Sequence, residues 1–271
     1  MENDSNKPSL TEEQINSVMT LYSSGKITKA ITEIKALNED YPNVPLLFNL
    51  LGACYQAQSA FQDAAKMFET ATKIKPDYAE AHFNLGVVLK AAGQLEGAIE
   101  SYKKAIYLMP NYPAAHNNLG NALNNFGQYE KAITSYTRAL ALKPDYAEAY
   151  YNLANSFNKF GQYDEAVRSY TKTIELKLDF AEVHNNLGNA LKNLSRYDEA
   201  IASYNKAIEL KPDFVELYSN LGNTAYLLGR CDEAVTSYNK AIELDPGFLA
   251  TWNNIYPTTR ILKILLSLIH I

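Results

Sequence analysis

Read for residues able to do chemistry, the chain is marked by asparagine. One set recurs every 34 residues as Asn84, Asn118, Asn152, Asn186 and Asn220, and a second set lies one helical turn further on as Asn121, Asn155, Asn189 and Asn223. Residues three apart on a helix share a face, so the two sets make one polar stripe. Asparagine is a weak helix former, so propensity does not explain its repeated use there. A carboxamide carries a donor and an acceptor side by side, and can hydrogen-bond the main chain of an extended peptide whatever the peptide's side chains. Two readings stand: a ladder for a bound segment, or solvated polar positions copied along with a repeat.

Other chemistry is weakly represented. The sequence has no GxxxxGK phosphate loop, HExxH pair or GxSxG elbow. His82, His116 and His184 fall on separate repeats at equivalent positions, which favours packing over metal ligation. Cys54 and Cys231 are far apart in sequence and outside any CxxC pair, and small buried hydrophobes are expected of both. We therefore expect no catalytic residue, metal or cofactor, and no enzymatic activity. The 25 basic and 30 acidic side chains leave a charge of −5, which argues against nucleic acid as a partner. The polar, acidic opening MENDSNKPSLTEEQ lacks the pattern of a secretory signal, so the expected location is cytoplasmic.

The elements that position the stripe follow from the period. Prolines at 42, 76, 110, 144, 212 and 246 share a spacing of 34, with Leu178 filling the one gap. This divides the chain into a polar segment, residues 1–10, seven units over 11–248, and a broken eighth unit with an apolar tail, residues 249–271. The units start at Thr11, Pro45, Ala79, Pro113, Ala147, Ala181 and Val215. Each contains two stretches of helical period around a break, as in AHNNLGNALNNF, GQY, EKAITSYTRALAL, and so predicts a helical hairpin. Gly25, Gly93, Gly127, Gly161 and Gly229 fall at the break, where a positive φ is expected. Asp77 with Glu80, Asp145 with Glu148, Asp179 with Glu182 and Asp213 with Glu216 have the spacing of reciprocal helix caps. Small residues such as Gly86, Gly120 and Gly188 on first helices, and Ala98, Ala132 and Ala200 on second helices, predict close approach of the two axes. The fifth unit carries Ala154, Thr173 and Leu178 where the others have Gly, Ala and Pro, and a longer second helix is expected there.

The order of a large residue, Leu and Gly, then Gly-x-Tyr, Ala, Tyr, Ala and Pro over 34 residues resembles the tetratricopeptide repeat across residues 11–248. The resemblance implies an all-α, right-handed superhelical solenoid of antiparallel helix pairs whose first helices line a concave groove, with a protein or peptide as partner. The period itself requires each hairpin to bury its apolar face on its neighbours. The asparagine stripe is similar to that of O-GlcNAc transferase-like proteins, which implies that Asn84, Asn118, Asn121, Asn152, Asn155, Asn186, Asn189, Asn220 and Asn223 stand on the concave wall. Phe83, Tyr150 and Tyr151 either add apolar contact there or belong to the core. The alternative the resemblance raises is the substrate-recruiting part of a larger transferase, O-GlcNAc transferase-like or sulfotransferase-like. Repeats of this family that grip acidic chaperone tails use basic first-helix residues. Glu80, Glu148, Glu182 and Glu216 in those places argue against that role.

The repeat pattern breaks at Tyr256-Pro257, and the apolar run from Ile261 to Ile271 is shorter than the roughly 20 residues of a spanning helix, which argues against a membrane partner. A helix covering the open end, a membrane-associating tail and a truncated or frame-shifted end are the three readings of that segment.

Overall fold

The computed structural model describes residues 10–176 and 179–248. Fourteen α-helices and no strand occur among the described residues, so the protein is an all-α assembly of helical repeats. They fall into two compact bodies, residues 1–143 and 144–271.

The first body holds α1 (Glu12–Ser23), α2 (Ile27–Asp40), α3 (Pro45–Ala57), α4 (Phe61–Ile74), α5 (Ala79–Ala91), α6 (Leu95–Leu108), α7 (Pro113–Asn125) and α8 (Tyr129–Leu142). Consecutive odd and even helices pair as hairpins, and α2, α4 and α6 also pack on the first helix of the following hairpin. The second body holds α9 (Ala147–Phe160), α10 (Tyr163–Glu175), α11 (Ala181–Asn193), α12 (Tyr197–Leu210), α13 (Val215–Leu227) and α14 (Cys231–Leu244), built by the same rule. The polar opening segment up to residue 9 and the apolar tail from residue 249, both expected from the sequence, lie outside the described residues.

Each hairpin is closed by a break of two or three residues. Gly25, Gly93, Gly127, Gly161 and Gly229 all take positive φ there, between 73° and 85°, as their spacing predicts. Ser59 and Ser195 stand in the equivalent places of α3–α4 and α11–α12 and adopt φ of 59°, so these two hairpins hold the same left-handed turn without glycine.

The hairpin interior rests on one aromatic ring. Phe68, Tyr102, Tyr136, Tyr170 and Tyr204 project from the second helices and are fully buried. A Cβ added to Gly52, Gly86, Gly120, Gly188 or Gly222 would come within 2.6 to 2.7 Å of the ring of Phe68, Tyr102, Tyr136, Tyr204 or Tyr238, respectively. Glycine is thus the floor on which the ring lies, and Ala30, Ala64, Ala98, Ala132, Ala166 and Ala200, all fully buried, let the second helix approach. In α9 the floor is Ala154, and Tyr170 is still fully buried above it.

Two expectations are corrected. The four Asp–Glu pairs do not form caps, because α5, α9, α11 and α13 begin one residue later, with Tyr78, Tyr146, Phe180 and Phe214 at the N-cap and no side-chain cap hydrogen bond. Burial of an aromatic ring at the N-cap outweighs a carboxylate cap there: Tyr112, the N-cap of α7, packs on Phe83 at 4.8 Å, and Phe180 on Tyr151 at 5.3 Å. Asp77, Asp145, Asp179 and Asp213 are left exposed just outside their helices. The capping box that does form joins Thr11 and Gln14 at the start of α1.

The second correction concerns the fifth hairpin, whose second helix is shorter than expected. α10 has 13 residues against 14 in the other second helices. The next hairpin still begins at Ala181, 34 residues after Ala147, so the link must turn in the usual length of chain even without its proline. Docking of the following hairpin sets the helix end.

The ring-on-glycine contact makes a graded prediction. Gly188→Val should lower unfolding free energy by about 2 to 3 kcal/mol through overpacking under Tyr204. Gly188→Ala should cost far less, because alanine regains about 1 kcal/mol of helix propensity and the Ala154–Tyr170 pair accommodates the same methyl. Urea unfolding followed by far-UV circular dichroism separates the two.

Candidate functional site

The ninth-position asparagines of the stripe are engaged by the rings just described. Tyr136 Oη donates to Asn121 Oδ1 at 2.7 Å, Tyr170 to Asn155 at 2.7 Å, Tyr204 to Asn189 at 2.9 Å and Tyr238 to Asn223 at 2.7 Å. Each bond ties the first helix of a hairpin to its second. The four asparagines are half-buried. With Oδ1 turned to the tyrosine, the Nδ2 amide is the side of each group able to donate elsewhere.

The sixth-position asparagines do something different. Asn84 Nδ2 donates to Asn49 Oδ1 at 3.1 Å, and Asn220 Nδ2 to Asn185 Oδ1 at 2.9 Å, in both cases reaching back to the preceding first helix. Asn186 Nδ2 lies 3.4 Å from Tyr151 Oη and 3.2 Å from Asn155 Oδ1, again one hairpin back. In these three positions the amide ties neighbouring hairpins together. Asn118 and Asn152 are half-buried on α7 and α9. The structure thus brings Asn155 and Asn186 together directly and gives Asn84 and Asn220 partners outside the predicted stripe, Asn49 and Asn185.

An alternation underlies these ties. The fifth position of the units from the second onward is Asn49, Phe83, Asn117, Tyr151, Asn185 and Ser219 in turn. Where it is Asn49 or Asn185, the joint to the next hairpin is amide to amide. Where it is Phe83 or Tyr151, the joint is ring to ring with the next N-cap aromatic. Phe83 and Tyr151 therefore belong to the packing between hairpins. The histidines serve the links: His82 Nε2 lies 3.0 Å from the Pro76 carbonyl and His116 Nε2 3.0 Å from that of Pro110, while His184 Nε2 meets the Asp179 carboxylate at 2.6 Å. Tyr218 Oη donates to the Pro212 carbonyl in the same position.

Of the two cysteines, Cys54 is buried and burial raises its thiol pKa. Cys231 is exposed, which corrects the expectation of burial: it is the first residue of α14, where the side chain of a helix's opening turn faces outward. Among the described residues no group of three histidines, cysteines or carboxylates is placed to hold a metal ion, and no helix is long and apolar enough to cross a membrane.

The tyrosine–asparagine latch was legible in the sequence as a spacing of 15 between Asn121 and Tyr136, repeated by Asn155 and Tyr170, Asn189 and Tyr204, and Asn223 and Tyr238. The second hairpin has Ala53 and Phe68 in those places, lacking both acceptor and donor. The third has Val87 with Tyr102, and there the buried hydroxyl finds no partner among the described residues.

These repeats define the class. The TPR repeat model matches residues 55–93, 88–125, 126–161, 154–195 and 188–229, and the tetratricopeptide repeat model matches residues 215–248. The chain belongs to the tetratricopeptide-repeat family, and its fold is that of a repeat scaffold. Among solved structures it is similar to MamA, at 29% identity over 60% of this chain and 95% of that one, with a TM-score of 0.58. It shares its fold with YrrB, a tetratricopeptide protein with an unusual peptide-binding site, at 24% identity over 68% and 95% of the two chains and a TM-score of 0.62. The C-terminal part of a repeat protein from Cytophaga hutchinsonii aligns over 85% of this chain and 95% of that one, with 20% identity and a TM-score of 0.70. No curated protein matches the chain.

The latch separates two otherwise identical substitutions. Tyr204→Phe leaves Asn189 Oδ1 without its donor and should cost about 1 to 2 kcal/mol, whereas Tyr102→Phe removes an unsatisfied buried hydroxyl and should be neutral or stabilising. Denaturant midpoints of the two variants test this.

The same hydroxyls give an alkaline limit. Burial raises the Tyr238 pKa to about 12 from the ordinary 10.0, and burial also pushes Tyr102, Tyr170 and Tyr204 upward. The unfolded chain therefore releases these protons first, so stability is full below pH 10 and falls as pH rises from 10 through about 12. Thermal midpoints measured across that window should drop, and Tyr238→Phe should make the drop shallower.

Proposed function

We propose that the chain is a protein-interaction scaffold that takes an extended segment of a protein partner against the face formed by first helices. The observation that carries this is the orientation of Asn155, Asn189 and Asn223 in the second body. Each is fixed by a tyrosine hydroxyl on its acceptor side, so a row of amide donors, one per hairpin, is held ready for the carbonyls of a peptide main chain. Preorganisation of this kind lowers the entropy lost on binding. Asn121 presents the same arrangement in the first body. In this reading Asn84, Asn186 and Asn220 hold the hairpins in register and Asn118 and Asn152 extend the polar face. Main-chain contacts spread over several repeats give an affinity that depends on length more than on side-chain identity. The absence of a basic surplus fits a protein or peptide ligand better than nucleic acid.

The test must spare the fold, because alanine at these positions also strips the acceptor from a buried tyrosine. Asn155→Asp, Asn189→Asp and Asn223→Asp together keep an oxygen for each hydroxyl and remove the Nδ2 donors. Capture of short unstructured peptides on an array should be lost in the triple variant while circular dichroism stays helical. Unchanged capture would refute a main-chain ladder.

A further inference from the structure

One cation in the second body is unlike the rest. Of the other lysines and arginines of its helices, Arg168, Lys172, Arg196, Lys206 and Lys240 lie in ion pairs with a carboxylate three residues away on their own helix. Lys192, in the last turn of α11, is half-buried and has no described carboxylate within ion-pair distance. It stands on the first-helix face, one turn beyond Asn189. α11 touches both α9 and α13. The bond from Asn186 to Asn155 shows that residues 31 apart meet across neighbouring first helices. By that offset Asn223 of α13 corresponds to Lys192, and Asn189 to Asn158 of α9, whose Oδ1 is buried without a partner among the described residues.

From this placement we propose that Lys192, flanked by the Nδ2 donors of Asn189 and Asn223, is an anion site that receives the carboxylate of an Asp or Glu side chain in the middle of a bound extended segment. The inference rests on the main-chain reading above and adds a specificity to it. A side chain rather than a chain end is the occupant because donors lie to both sides, Asn155 on α9 and Asn223 on α13, so the segment continues past Lys192 in both directions. Desolvation lowers the Lys192 pKa, with no nearby carboxylate to offset it, so a bound carboxylate supplies the counter-charge the folded protein lacks. A lysine in a last helical turn also interacts favourably with the helix end, but that role is served equally well by a lysine standing in water. The first turns of α11 and α13 carry Glu182 and Glu216, so a segment rich in acidic residues is disfavoured and a single carboxylate at Lys192 is the fit.

The probe is a neutral Ala/Ser/Thr peptide carrying one central Glu, compared with the same peptide carrying Gln and with a Gln peptide whose only carboxylate is its free C-terminus. Binding to the full chain is read by fluorescence anisotropy. Wild type should prefer the Glu peptide about tenfold, the effect of one charge-assisted hydrogen bond, and the preference should shrink with added salt. Lys192→Met, which keeps the apolar stem, should bind the Gln peptide as wild type does and lose the preference, and Lys192→Arg should restore it. Equal affinity of wild type for Glu and Gln peptides, survival of the preference in Lys192→Met, or an equal gain from the C-terminal carboxylate alone would overturn the site while leaving the main-chain ladder standing. Failure of every peptide to bind wild type would remove the ladder and the site together.

Discussion

The contact that recurs through the hairpins is an aromatic ring of the second helix packed on a small residue of the first, a glycine at Gly52, Gly86, Gly120, Gly188 and Gly222, and in four hairpins its hydroxyl is held by the asparagine that follows that small residue. Gly120 lets the Tyr136 ring come within 2.6 Å of where a Cβ would be, and Asn121, the next residue, receives the hydroxyl. Apolar burial and polar satisfaction are thereby met by two adjacent residues. A buried tyrosine hydroxyl ordinarily has a partner, and in four hairpins an asparagine of the first helix supplies it. The price of that arrangement is visible at Tyr102, where Val87 replaces the acceptor.

The latch also fixes the direction of an amide. An asparagine whose oxygen is pinned to a buried hydroxyl cannot rotate freely, so its amide donors keep one direction. Repetition every 34 residues then turns a packing solution into a row of oriented donors within the second body. Asn84, Asn186 and Asn220 behave otherwise, because they reach across to the preceding hairpin at Asn49, Asn155 and Asn185. Residues of one type, one turn apart on one helix, thus divide into ties within a hairpin and ties between hairpins.

Charge is arranged on the opposite principle. The second helices present exposed pairs three residues apart, such as Lys103–Glu100 and Lys206–Glu209, which contribute little to stability and keep the outer surface hydrated. Lys192 stands apart from that pattern, on the face where the amides are.

The period, the hairpin breaks and the core glycines and alanines were determined by the sequence alone, because each is a local demand: a left-handed turn favours glycine, as at Gly25 and Gly127, and a 34-residue interval of apolar stripes favours stacked helix pairs. Even the pairing of Asn121 with Tyr136 was written in a constant spacing. What only the tertiary structure decided is which of two competing local preferences prevails and where an amide's two ends point. Asp77 and Glu80 have the spacing of a cap, yet Tyr78 takes the N-cap; α10 lacks a proline, yet ends early because the next hairpin must dock. Asn186 and Asn189 are alike in sequence, and only the neighbours packed against them make one a bridge and the other a presented donor. Local rules act on a few residues at a time, whereas hydrogen-bond direction and burial are set by groups some thirty residues away.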